Sequence, residues 1–219
     1  MLNASRPRHS NISQALRKID SVGAISEPHA IEVRPIGSES ELDEVYRLTH
    51  DAYAERGYCQ PTADGRLIHY PHLDGIPETT VLVAIVEGKI MGTNSWTLDG
   101  PRGLHVDSDF KTECDEIRKE GRRLASSWRI ATRSCCRQEQ RVVMSLIQRT
   151  VSDCLDAGIE TSVFTFNPRH EAIYRRMLNM TTVARRDDIH GLCNAPAVFM
   201  RLNLESIPER FYGALHAHR

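Results

Sequence analysis

From residue 124 to residue 131 the side chains alternate with the two-residue period of a pleated strand. Leu124, Ser126, Trp128 and Ile130 fall on one side, and Ala125, Ser127, Arg129 and Ala131 on the other. A polar loop, 133–137, follows. From Gln138 the period becomes helical: Val142 and Leu146 are four apart, Arg149 or Thr150 comes next, and Val143, Ile147 and Cys154 widen the apolar stripe. One strand, one turn and one helix of roughly four to five turns therefore follow directly on one another.

The same reading orders the rest of the chain. Residues 31–36 alternate as a first strand, with Pro35 at its edge or end. Ser38 or Ser40 caps a helix that runs to about Arg56 and stops at Gly57. Residues 57–79 are rich in glycine and proline and carry Tyr58, His69, Tyr70, His72 and Asp74. A loop of that length often lies over a site. Residues 79–86 form a β-branched buried strand, and a tight turn at 87–89 leads to its hairpin partner, 90–98. A helix over 108–119 precedes the strand at 124. Gly158 ends the long helix, 161–166 is a strand, and Pro168 opens a helix reaching Met177. Two closing strands span 181–186 and 195–204. Hairpins alternating with helices predict a mixed α/β (α+β) sheet, mostly antiparallel and flanked by helices, rather than a doubly wound one. The expected division is an N-terminal extension (1–30) with a short amphipathic turn around Ile12–Ile19, a main domain (31–205) and a C-terminal tail (206–219).

Composition narrows the function. The 219 residues are 40% hydrophobic and 26% charged, as in an ordinary soluble globule. A net charge of -1 argues against a general nucleic-acid binder. The charge is uneven, however: Arg118, Arg122, Arg123, Arg129, Arg133, Arg137 and Arg141 cluster around the central strand and turn. Such a patch fits either an anionic ligand or acidic protein partner, or plain solvation. No stretch is apolar enough to cross a membrane, and no apolar signal core is present. The six cysteines contain no CxxC pair, so a zinc ribbon is not expected, and free thiols in a cytoplasmic protein are the simplest account. His69, His72 and Asp74 lack a third ligand at metal-binding spacing, so no metal is expected.

Several segments resemble GNAT-fold acyltransferases, and more narrowly the long-chain N-acyl amino acid synthases and acyl-homoserine lactone synthases. They are VYRLTHDAYAERGY, IPETTVLVAIVEGKIMGTNSW, IRKEGRRLASSWRIA and NPRHEAIYRRM, in that order over residues 31–205. The resemblance implies a GNAT-like sheet and an enzyme that moves a fatty acyl group from a thioester to the amine of an amino acid or related small molecule. It places the family's strand glutamate at Ser126 and its arginine at Arg129. It makes Tyr174, seven residues after Asn167, the candidate acid; a packed helix aromatic is the other reading. The donor arm would lie along Ile130, Ala131 and Thr132, the turn arginines Arg133, Arg137 and Arg141, and Asn167. Trp128, Tyr53 and Trp96 are candidates for the substrate pocket; Trp128 and Ile130, with Val81, Val83 and Ile85, suit an acyl wall and ordinary core packing equally.

Two departures shape the expectation. Coenzyme A-dependent GNAT enzymes have a glycine-rich turn where backbone approaches a pyrophosphate; here Gln140 and Val142 replace the small residues. That favours the phosphopantetheine of an acyl carrier protein over acyl-coenzyme A as donor substrate, with no tightly bound cofactor. The second departure is Ser126, a poor proton acceptor by itself. Glu120, His170 and Glu171 are the remaining candidates for a base. If none serves, a non-catalytic acyl or carrier-protein binding module is the alternative. Arg129 would hold an acceptor carboxylate with two prongs, or else form a buried ion pair.

Overall fold

The computed structural model describes residues 29–189 and 195–211. The amphipathic turn expected at 12–19, the loop residues His190 and Gly191, and residues 212–219 lie outside them. The chain forms β1 (Ile31–Pro35), α1 (Glu39–Glu55), β2 (Thr79–Val86), β3 (Lys89–Leu98), α2 (Asp107–Arg118), β4 (Leu124–Thr132), α3 (Glu139–Asp156), β5 (Thr161–Phe166), α4 (Glu171–Leu178), β6 (Thr181–Ile189) and β7 (Ala195–Asn203). The seven strands make one sheet in the order β1-β2-β3-β4-β5-β7-β6, and only the β4–β5 pair is parallel.

Local chemistry sets the ends of these elements. Ser38 caps α1 by accepting from the Glu41 amide, while the Glu41 carboxylate reaches back to the Gly37 amide and to Arg34. Glu87 and Gly88 both take positive φ, as the two-residue hairpin between β2 and β3 demands. Pro168 opens a short 3-10 turn, Pro168–His170, before α4 begins at Glu171, so the predicted single helix is two pieces.

Both faces of the sheet are covered. On one face Val45, Leu48 and Ala52 of α1 pack on Val81, Val83 and Ala131, and Phe110 of α2 stacks on Phe199 at 5.0 Å. Val81 and Val83 therefore belong to the core under α1, so of the two readings the sequence left open for them core packing is the one present. On the other face Val142, Leu146 and Val151 of α3 pack on Leu82, Ala84 and Ala125. Ile207 and Phe211 are buried in that same core, so the body of the fold continues past residue 205.

The α3 face sits unusually close to β3. A Cβ on Gly92 would lie 2.6 Å from Val142 Cγ1 and 3.2 Å from both Leu146 Cδ1 and the Ala131 carbonyl. Gly92→Ala is therefore expected to cost about 1–3 kcal/mol by overpacking. Chemical denaturation measures this, and an unchanged midpoint would mean that α3 moves outward freely.

Candidate active site

The site arises where the sheet divides. β4 and β5 run side by side for only three rungs: Leu124 with Thr161, Ala125 with Ser162, and Ser126 with Val163. Beyond Ser126 the β5-side edge of β4 has no strand neighbour. β4 also carries a bulge there. Asn94 of β3 stands opposite both Arg129 and Ile130, and Arg129 takes a φ of 59°. A left-handed arginine inside a strand costs of order 1–3 kcal/mol and persists only where its surroundings fix it.

The Arg129 side chain is fully buried. Its Nη2 donates to both oxygens of Asp74 at 2.6 Å, and its guanidinium lies 4.3 Å from the Trp128 ring centre and 5.3 Å from that of Tyr46. Its Nε and Nη1 have no hydrogen-bond partner. Of the two readings the sequence left open, the buried ion pair is present, and two donors remain for a ligand. Asp74 is thereby committed to Arg129 rather than to a metal. The loop 57–78 does lie over the site. Tyr70 meets Trp128 at 5.3 Å and His105 at 5.4 Å, and Leu73 is wholly buried.

Two connected cavities follow the divide. The narrower, of about 80 Å³, reaches from Tyr70, His105 and Trp128 on one face to Asn94, Ser127 and Thr150 on the other. The wider, of about 540 Å³, opens between the start of α3 and α4. Tyr53, Ile130, Thr165, Phe166 and Tyr174 line both. Tyr174 stacks on Phe166 at 4.0 Å, and burial pushes its hydroxyl up to about 12, so it stays protonated at neutral pH. Burial likewise raises Tyr53 to about 12. The Trp128 indole is fixed by a 3.0 Å hydrogen bond from Nε1 to Thr97 Oγ1.

The structure brings Tyr53, Trp128, Arg129, Ile130, Ala131, Thr132, Asn167 and Tyr174 to these cavities. Asn167 does so while capping the 3-10 turn, its side chain accepting from the Arg169 amide. Other predicted residues lie elsewhere. Glu120 is at the surface, bound to Arg201, which holds its carboxyl below the usual range, and it lines neither cavity. Trp96 is packed in the α3 core. Arg133 faces α1, donating to the Ile90 carbonyl and to Glu44. Arg137 is exposed, and Arg141 binds Gln138. None of these three turns into the cleft, because neighbouring acceptors draw Arg133 and Arg141 aside. The wider arginine cluster is also largely neutralised: Arg118 is held by Asp99, Asp107 and Asp115, and Arg122 by Glu205. Glu171 is taken by Arg185 and Thr182.

What stands at the start of α3 is an acid. Glu139 lines the wide cavity and accepts from Thr132 Oγ1 at 2.7 Å and from Arg56 Nη2 at 3.1 Å. Sequence reasoning also missed His105. No spacing marks it, but it is 4% exposed, and its Nδ1 lies 2.7 Å from Ser126 Oγ.

A sheet divided at one parallel seam, a bulge in the strand beside the divide and a cleft running between them make up a GNAT-like fold. Residues 44–203 match the N-acyl amino acid synthase FeeM family, and the chain belongs to that family. The solved structure of FeeM, an N-acyl amino acid synthase from uncultured soil microbes, superposes with a TM-score of 0.72 at 22% identity over 81% of this chain and 93% of that one. The acyl-homoserine lactone synthase LasI gives 0.61 at 16% identity, over 85% and 96%. BjaI, a coenzyme A-dependent acyl-homoserine lactone synthase, gives 0.61 at 15%, over 86% and 89%. No curated protein matches the sequence.

Proposed function

We propose that the protein transfers a fatty acyl group from an acyl carrier protein thioester to the amine of an amino acid. The observation that carries this reading is the divide between β4 and β5, where the bulge at Arg129 opens onto a long apolar cleft. A volume of about 540 Å³ is in the range of small-molecule sites. Its walls include Val143, Met144, Phe166, Ile173 and Met177, surfaces suited to an alkyl chain and a pantetheine arm. The thioester would lie beside the bulge, where the amide groups on the open edge of β4 can stabilise a tetrahedral oxyanion.

The start of α3 supports this choice of donor. A helix N-terminus ordinarily favours an anion, but here the Glu139 carboxylate and the Gln140 side chain line that position. Glu139, although paired with Arg56, and the Gln140 side chain leave less room for the second phosphate and the nucleotide of coenzyme A than the small residues of a glycine-rich turn would. A carrier-protein arm carries one phosphate and no nucleotide, so it asks less of that position. Arg129 supports an acceptor with a carboxylate. Its unpartnered Nε and Nη1 would bind the carboxylate of an amino acid, which repays two buried donors otherwise left unsatisfied.

The test is incubation of the full chain with long-chain acyl carrier protein and a mixture of amino acids, followed by mass spectrometry. N-acyl amino acids are the expected product. Product from acyl-coenzyme A but not from the carrier protein would overturn the donor assignment, and no product from either would overturn the enzymatic reading. Acylated amines without a carboxylate would remove the role given to Arg129.

A further inference from the structure

We infer that His105 is the proton acceptor of this site and that Ser126 sets its tautomer, together standing in for the carboxylate that the family resemblance places on β4. The inference rests on the acyltransferase reading and names the residue that removes the amine proton.

The geometry fixes the tautomer. Ser126 Oγ lies 2.7 Å from His105 Nδ1 and 3.0 Å from the Val163 carbonyl oxygen. The hydroxyl has one proton, and the carbonyl can only accept. If the serine donated to Nδ1, two oxygen acceptors would face each other at 3.0 Å with no proton between them. The serine therefore donates to Val163, and Nδ1–H donates to the serine. That leaves the lone pair on Nε2. Nε2 faces Thr165 Oγ1 at 3.3 Å, a long contact that an amine can replace. Thr165 and His105 both line the narrow cavity, on the Trp128 side of the divide.

The arrangement is built rather than incidental. Ser126 belongs to the last rung of the β4–β5 seam, the point at which the strands part. The imidazole is wedged against Tyr70 at 5.4 Å and Trp128 at 6.3 Å. Burial, reinforced by His69 and opposed by Asp107, pushes the His105 pKa down to about 3, so the ring is neutral at physiological pH and able to accept. An acceptor carboxylate bound nearby would raise that value by charge attraction, moving it towards the range of an effective base.

The proton balance closes without a further reagent. The amine enters uncharged, having lost its ammonium proton to buffer, and its nitrogen attacks the thioester carbonyl. Nε2 takes one proton from that nitrogen as the C–N bond forms. The oxyanion collapses, the C–S bond breaks, and the electron pair leaves on sulfur. The imidazolium proton passes to the thiolate, giving the amide, a free thiol and neutral His105.

The test pairs two variants with a spectroscopic readout. In His105→Asn the side-chain amide can still donate to Ser126 but offers no base. Its kcat is expected to fall on the order of 100-fold, with the KM for donor within about threefold. Ser126→Ala releases the tautomer and is expected to lower kcat about tenfold while leaving donor KM in place. Independently of turnover, 15N NMR of the wild-type chain at neutral pH should show His105 as the Nδ1–H tautomer, and Ser126→Ala should change that signature. A folded His105→Asn enzyme with kcat within threefold of wild type would overturn the inference and leave the acyltransferase reading intact. An Nε2–H tautomer would overturn it even if either variant failed to fold. A wild-type chain that makes no N-acyl product would instead sink the acyltransferase reading, and the role of His105 with it.

Discussion

Asp74→Ala is expected to destabilise the protein by about 3–5 kcal/mol, because it strands a buried guanidinium without its counter-ion. The Arg129 side chain is 0% exposed and Asp74 only 7%, and the carboxylate uses both oxygens on the same Nη2. Stacking on Trp128 and Tyr46 offsets little of that loss, since cation–π contacts contribute about 0.5–2 kcal/mol. At about 2–4 °C per kcal/mol for a domain of this size, the melting temperature should fall by about 6–20 °C. The double variant Asp74→Leu with Arg129→Met should be more stable than Asp74→Ala, because a well-packed apolar pair replaces the stranded charge. A thermal melt of Asp74→Ala within 2 °C of wild type (less than about 1 kcal/mol) would show that the pair does not hold the bulge.

The second large effect concerns the leaving group. Tyr174→Phe should lower kcat by about 10- to 100-fold without changing the melting temperature. The ring is held by its stack on Phe166, and phenylalanine keeps that contact. What is lost is a hydroxyl whose proton burial holds up to about 12. Full transfer from so weak an acid to a thiolate is uphill, so on the proposed function the hydroxyl would act by donating a hydrogen bond as charge builds on sulfur. Single-turnover kinetics with the donor thioester measures the step directly. An unchanged rate would return Tyr174 to the role of a packed helix aromatic.

Most of the scaffold could be read from the chain because its signals are local. The β-branched run 79–86 matches β2 residue for residue, and α1 stops one residue before the expected Arg56. The elements that carry Trp128, Arg129 and Tyr174 were readable for the same reason, while their candidate roles came from the family resemblance; the structure brings all three to the cavities. The rest depends on contacts that no local pattern encodes. Arg129 meets Asp74 across 55 positions and Ser126 meets His105 across 21, so neither pair leaves a spacing to notice. The arginine turn misled for a related reason. Its charges are conspicuous in sequence, yet Glu44, which draws Arg133 away, lies 89 positions earlier on α1. Glu139, one acid among many arginines, reaches the cleft beside Arg56 and Arg169, neither of which belongs to the conspicuous turn.

The three-rung junction between β4 and β5 also has a mechanical consequence. β1 to β4 form one antiparallel block and β5 to β7 another, and each is stitched more extensively within itself than to its neighbour. Beyond Ser126 no ladder hydrogen bonds join the two blocks, and what holds them together there is the core under α3, which takes residues from both. On the proposed function, the chain lengths admitted would then depend on how far that shared core lets the two blocks part, like the spring of a clothes-peg, as well as on the size of any one side chain.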